Sequence, residues 1–382
     1  MTVMKRLFYL FALTTLGMWS CVTEIRDFEQ ISNDSFLTVE GSLSNQIGPH
    51  RVTVSSSSPS LSINVENIPI KGADVFITDN KGNRENLKEF VDGIYETSAN
   101  FQGVVGNIYT LHINLRNGKK YESTPEKLIA VPNIDKVNAN FTVKTNYPLT
   151  DVRSVGFDVS IDFKDSPETG QYYQWKWTHY ERTVFCASCN LGYDYGLGKC
   201  SLVPNYPYGQ SSPELINYLC SSQCFDVLYS STYNILSDNL LNGQEIKNYP
   251  IMRIPYDDRT NYYLKIEQRA ISEKMYRYYR SIKDVTQSSG TLFDVPAETQ
   301  FSPNMFNVDN KDERILGLFE VFGSDKRIVY IDRQVGTDGY SPVKPQIAGR
   351  TLPPPPGAIS GPRAYCIEGK YRTTREPEAW KD

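Results

Sequence analysis

The sequence predicts a mainly β protein. A small N-terminal β-sandwich is followed by a larger β-rich domain with one packed helix and a disulfide-stapled insertion. Three observations predict this. First, apolar and polar residues alternate in several runs. Val155, Phe157, Val159, Ile161 and Phe163 face one way, and Gly156, Asp158, Ser160 and Asp162 face the other, the period of a half-buried strand. Second, the chain carries 26 Tyr, and Tyr, Thr, Val and Ile suit pleated surfaces. Third, helical spacing is confined to one stretch, Met275, Tyr278, Tyr279, Ile282 and Val285.

The first 20 residues read as an export signal. Lys5 and Arg6 precede the apolar run Leu7 to Leu13, and Ser20 leads directly into Cys21. Charge, short apolar core and a small residue before Cys resemble a lipobox. Cleavage before Cys21 is expected, with lipid on its thiol. The apolar run is shorter than the roughly 20 residues a bilayer span needs. Several acyl chains on one Cys, each CH₂ worth about 0.8 kcal/mol in lipid, would anchor the chain firmly. Residues 21–35 read as a mildly acidic tether, with Glu24, Asp27 and Glu29 against Arg26.

Residues 36–131 read as the sandwich. Phe36 to Glu40, Arg51 to Ser55, Leu61 to Val65 and Ala73 to Thr78 are short strand candidates. Tyr109, Leu111, Ile113 and Leu115 alternate with Thr110, His112, Asn114 and Arg116, then Asn117-Gly118 and Lys119 to Thr124 follow. That order predicts a hairpin with a type I′ turn, which needs positive φ at both central residues. Residues 134–335 read as the larger domain. Its further strand candidates are Tyr172 to Tyr180, Tyr262 to Gln268, Ile315 to Phe322 and Arg327 to Asp332. The helix is expected over 272–289. Ser272 caps it, Ile271 and Tyr276 occupy staple positions, and Gly290 closes it. Residues 336–382 read as a Pro-rich surface strap, because Pro donates no ladder hydrogen bond. Its end, from Thr373, is expected to fray.

With Cys21 lipidated, six cysteines remain: Cys186, Cys189, Cys200, Cys220, Cys224 and Cys366. An even set in an exported chain points to three disulfides, with 15 connectivities open. Cys186-x-x-Cys189 with Cys220-x3-Cys224 also has zinc-like spacing. That reading leaves Cys200 over and requires free thiolates outside the cytoplasm, so no metal site is expected. A redox Cys-x-x-Cys lacks its βαβ context. Segment 172–233, with the insertion at 181–233, holds five of the six cysteines, ten Tyr, Trp175 and Trp177. Tyr faces stack on sugars or pack against protein partners; alternatively, they fill the insertion's own small core. Tyr193, Tyr195, Tyr206 and Tyr208 are the candidate contacts, since Gly and Pro surround them.

Catalysis has little support. His50, His112 and His179 are far apart, and hydrolase and phosphate-loop motifs are missing. Asp257-Asp258 and Asp309 to Glu313 miss calcium-loop spacing. No catalytic residue, metal or cofactor is assigned. Loss of the signal removes Lys5 and Arg6, moving the net charge from −4 to −6, which argues against nucleic acid as a partner.

Two sets of residues carry a resemblance. One is Thr38-Val39-Glu40-Gly41, Gly72-Ala73-Asp74-Val75 and Gly93-Ile94-Tyr95. The other runs from Ser237-Asp238 through Asn242-Gly243, Ile254-Pro255, Tyr263 to Gln268, Ser272, Tyr276, Gly290, Leu292-Phe293-Asp294 and Pro296 to Leu316-Gly317 and Phe319. Together they resemble the Bacteroidota lipoprotein family called domain of unknown function 4249, over about residues 21–335. The N-terminal part is also similar to carboxypeptidase-regulatory-like sandwiches. The resemblance implies an outer-membrane lipoprotein, on either face of that membrane, often associated with a TonB-dependent transporter. It implies no catalytic residues. A lipid-anchored binding or accessory protein is therefore expected. A structural or adhesive surface protein, or a glycan or peptide hydrolase, is the alternative.

Overall fold

The computed structural model describes residues 35–57, 67–148, 151, 153–189, 192–201, 216–239, 241–286, 301–343, 350–351 and 363–381. Cys21, the signal, nearly all of the tether, Leu61 to Val65, Tyr206, Tyr208, Gly290, Leu292 to Asp294, Pro296 and the Pro353–Pro356 run lie outside them. No helix among the described residues is long and apolar enough to cross a membrane.

The first half contains β1 (Leu37–Ser44), β2 (Arg51–Ser56), β3 (Asp74–Asp79), β4 (Ile94–Glu96), β5 (Ile108–Asn114) and β6 (Lys120–Ser123). Strands β1, β2 and β4 lie in one sheet, and β3, β5 and β6 in another. Between them sits a core of Val39, Leu43, Val54, Ile77, Leu111, Ile113 and Tyr121. The inward residues of β1 and β5 are every second one, as alternation requires. The hairpin between β5 and β6 forms where expected, but its turn differs. Gly118 donates to Leu115 O and Leu115 N to Lys119 O, and only Gly118, not Asn117, has positive φ. This is a three-residue loop closed by a left-handed Gly. One left-handed residue suffices when the turn takes three residues, so Asn117 keeps ordinary geometry.

The second half contains β7 (Ile134–Val143), β8 (Val155–Lys164), β9 (Tyr172–Arg182), β10 (Phe185–Cys189), β11 (Ile216–Cys220), β12 (Phe225–Tyr229), β13 (Glu245–Pro255) and β14 (Tyr262–Ile271). The helix α1 (Glu273–Thr286), β15 (Met305–Asn307) and β16 (Ile315–Ile331) follow. Strands β7, β8 and β13 form a three-stranded sheet. It packs on β9 and β14 around Phe157, Ile161, Phe163, Trp175, Leu264 and Ile266. The buried Trp175 indole donates to Gln268 Oε1 at 2.9 Å, so its one polar atom is satisfied.

Strand β16 joins the halves. Its residues 315–322 run parallel to β1, from Leu37↔Ile315 to Ser44↔Phe322. Its residues 323–331 run antiparallel to β14, from Ala270↔Gly323 to Tyr262↔Ile331. Phe319 and Val321 therefore belong to the first core and Ile331 to the second. The expected pair of strands, Ile315 to Phe322 and Arg327 to Asp332, is one. Gly323-Ser324-Asp325-Lys326 has the composition of a turn, but tertiary partners occupy its polar groups. Ser324 N donates to Asn45 Oδ1, and Asp325 accepts from Ile134 N. Strand β15 likewise pairs back onto β6.

Helix α1 packs Met275 and Tyr279 with Ile271 and Phe322. The expected staple residue Tyr276 packs against the same cluster. Ser272 caps the helix, its Oγ accepting from Met275 N at 3.4 Å. Ser272→Ala should cost about 1 kcal/mol or slightly less in a denaturant titration. An unchanged midpoint would mean that packing alone sets this helix start.

Candidate partner interface

The disulfide-stapled module is assembled from the middle of the chain and its C-terminal segment. Strand β10 pairs with β11, skipping Cys186 at a bulge. Two short C-terminal strands then join: β17 (Arg363–Ala364) runs parallel to β11, and β18 (Arg372–Thr373) antiparallel to β12. All six expected cysteines pair, as Cys186–Cys220, Cys189–Cys200 and Cys224–Cys366. The zinc-like spacing thus belongs to disulfides: Cys186, Cys224 and Cys366 are close enough to share an ion, but each is already bonded to another Cys. Cys224–Cys366 closes a separation of 142 residues, so it removes the most entropy from the unfolded chain.

The module's core is small: Cys186, Cys189, Tyr193, Ile216, Tyr218, Cys224 and Ala364. Sulfur and Tyr substitute here for aliphatic bulk. Tyr193 is accordingly not a surface contact. It is 3% exposed, its ring lies 5.6 Å from Tyr218, and its hydroxyl accepts from Tyr365 N. Neighbouring Gly residues were no guide, because a small stapled core buries whichever ring faces it. Tyr195 is 51% exposed, with its hydroxyl donating to Arg363 O at 2.7 Å.

Tyr195 opens a continuous apolar face. Its ring meets Tyr365 edge-on at 6.0 Å. Gly198, beside the exposed Leu197, approaches the side chain of Ile367. Ile367, Leu228 and Tyr371 line a shallow groove of about 620 Å³ with Asp226, Glu368, Lys370 and Arg372. Tyr371 lies 6.3 Å from Tyr229. Leu197 and Tyr371 are each 61% exposed and Ile367 is 53%. The polar rim is largely self-paired: Arg372 Nε donates to Asp226 Oδ1 at 2.6 Å and Nη1 to Cys186 O, and Glu368 accepts from Thr374 N. Apolar atoms therefore dominate what this face offers a ligand.

Sequence reading did not find Leu228, Tyr229, Tyr365, Ile367 or Tyr371. One signal was present. Phe225-Asp226-Val227-Leu228-Tyr229 breaks its alternation with two adjacent large apolar residues, and both point to solvent. The expected fraying from Thr373 is also corrected. Trp380 packs edge-on against Phe225 at 4.8 Å, and Glu378 O accepts from the Tyr263 hydroxyl. An aromatic anchor near the terminus holds it down.

The three histidines sit in separate places. His50 lies by Gln46 O and Phe101. His112 stacks on Phe76 at 4.6 Å. His179, buried on β9, stacks on Tyr262 at 3.7 Å and donates through Nδ1 to Tyr263 O. Its Nε2 is 3.7 Å from Glu181, whose carboxyl is held below its usual range chiefly by that contact. Nearby, the buried Arg333 holds Asp257 at 2.6 Å. Burial nevertheless raises the Asp257 pKa, opposed by Arg333. These groups fasten the 256–261 loop, since Arg333 also donates to Thr260 O and Oγ1. A second, smaller cavity of about 200 Å³ lies beside Asp79 and Tyr109. Its carboxylate is already filled by Lys81 N, Asn83 and Asn107.

Fold and site together define a mainly β, disulfide-stapled protein with a preorganised aromatic face. Residues 23–328 match the family model described as Domain of unknown function (DUF4249), and the chain belongs to that family. No curated protein matches the chain.

Proposed function

We propose that the protein is a lipid-anchored accessory subunit of the outer membrane that docks a TonB-dependent transporter through the face carrying Tyr195, Leu197, Ile367 and Tyr371. The observation that carries the reading is that face itself. Large apolar side chains stand exposed on a scaffold fixed by three disulfides, so little side-chain or loop entropy is lost on binding. Aliphatic Leu197, Leu228 and Ile367 mingle with the Tyr rings. That mixture suits a protein partner, where aromatic and aliphatic anchors fill pockets, better than a sugar, which uses ring faces alone. The export signal and lipobox supply the anchor at Cys21.

The test begins with gentle solubilisation of membranes and capture on a C-terminal tag, with mass spectrometry of what co-purifies. A stoichiometric TonB-dependent barrel is expected. The double variant Leu197→Ser/Tyr371→Ser should retain its fold, because both side chains are exposed, yet lose at least tenfold of the captured barrel. Absence of any barrel with the wild-type protein would leave a structural or adhesive surface protein as the better reading. Retention of the barrel by the double variant would move the interface elsewhere.

A further inference from the structure

The sulfurs of Cys186, Cys224 and Cys366 lie within 4.8 Å of one another, although they belong to two different bonds, Cys186–Cys220 and Cys224–Cys366. Each bond joins a buried sulfur to a more accessible one. Cys186 and Cys224 are 8% and 1% exposed, while Cys220 and Cys366 are only partly buried. The two buried sulfurs are neighbours. We propose that these two disulfides form an exchange unit: a dithiol reductant converts them into one buried Cys186–Cys224 bond and releases Cys220 and Cys366 as thiols.

The steps balance. A thiolate of the reductant attacks Cys220, the accessible sulfur. The Cys186–Cys220 bond breaks, a mixed disulfide forms on Cys220, and Cys186 leaves as thiolate. Cys186 then attacks Cys224. A Cys186–Cys224 bond forms, and Cys366 leaves as thiolate and takes a proton. The reductant's second thiol attacks its own sulfur in the mixed disulfide, closing the reductant's disulfide and freeing Cys220. Two electrons pass to the protein, and two disulfides become one. Entry at Cys366 gives the same product, because it frees Cys224, which attacks Cys186 and expels Cys220. Both routes converge because the reductant reaches the accessible sulfur of either bond and so frees the buried one. The freed sulfur then attacks its buried neighbour and expels that neighbour's accessible partner, the better thiolate leaving group of the second bond.

The exchange changes what the surface presents. Cys366 is the covalent tie on residues 363–373, which carry Tyr365, Ile367 and Tyr371. Its release leaves that segment held by non-covalent ties alone, among them the short pairings of β17 and β18 and the Arg372–Asp226 ion pair. The inference does not depend on what the face binds.

The experiment uses the mature oxidised protein, with one equivalent of dithiothreitol under native conditions, acid quench, alkylation and peptide mapping by mass spectrometry. The two-electron-reduced fraction should carry mainly the Cys186–Cys224 bond, with Cys220 and Cys366 alkylated and Cys189–Cys200 intact. Alkylation confined to native partners, or none at all, would overturn the proposal. The Cys220→Ala variant gives a second reading that needs no reductant. Cys366 should be its free thiol. A free Cys186 beside an intact Cys224–Cys366 would count against the exchange.

Discussion

Arg269→Ala is expected to destabilise the protein by about 3–5 kcal/mol, the usual cost of removing one partner from a buried ion pair. The guanidinium sits where the two halves meet. It donates to Glu267 Oε2 through Nε at 2.9 Å and Nη2 at 2.5 Å, and to Glu320 Oε2 through Nη1 at 3.2 Å. It also lies 4.1 Å over the Phe322 ring. Glu320 accepts from the Tyr279 hydroxyl at 2.6 Å, and Glu267 from Ser324 at 2.7 Å. The network thus ties β14, β16 and α1 together. Without Arg269, two carboxylates remain buried with only neutral hydroxyls close by, and the nearest ammonium groups, on Lys176 and Lys326, are 3.9 Å away.

Acid should test the same network in the wild type. Burial alone would raise the Glu267 pKa, but Arg269, Ser324 and Lys326 outweigh it and bring the carboxyl down to about 2. A carboxylate whose folded pKa lies below its unfolded value near 4.5 stabilises the fold above that value. The contribution, about 3 kcal/mol by linkage, is lost as pH falls from near 4.5 towards 2. The variant should behave oppositely, because protonating its orphaned carboxylates relieves the strain. Denaturant titrations at pH 7 and pH 4 should therefore show the gap between the two proteins narrowing in acid. A gap independent of pH would mean that Arg269 acts through packing against Phe322 rather than charge.

Much of the fold was legible because it depends on short-range pattern. The run Val155 to Phe163 needs only its own alternation to be read as a strand. Ser272, Met275 and Tyr279 declare the helix through cap and spacing. The even set of six cysteines between Cys186 and Cys366 declares three bonds by parity. What was not legible depends on partners far away in sequence. Nothing near Gly323 to Lys326 shows that Asn45 and Ile134 satisfy the polar groups of a turn-like stretch. Nothing in β1 announces a parallel neighbour nearly 280 residues on. Tyr193 and Tyr195 differ in fate only because a C-terminal segment folds back beside them. The family positions quoted from sequence are a partial exception. Gly41, Gly317 and Phe319 meet at the seam between the halves, so the pattern marked a structural junction without naming its partner.

That seam sets the second large effect. Gly317→Val is expected to cost about 4 kcal/mol or more, placing it among the rare severe substitutions. Gly317 has φ of 78°, a left-handed geometry that a β-branched residue adopts only under strain. A Cβ there would also stand 2.0 Å from Val39 O, inside the parallel ladder where Val39 pairs with Gly317. The neighbour is backbone, so it can yield only if β1 moves away from β16. Movement of β1 would open the first core at Phe319 and Val39 and leave the second core, around Trp175 and Ile266, untouched. The expected result is hence more than a lower melting point. Amide exchange should accelerate across β1, β2 and the 315–322 part of β16, while β7 and β8 keep their protection, so that the first core opens before the second. Uniform loss of protection would show instead that the two cores unfold as one unit, with β16 transmitting the damage along its whole length.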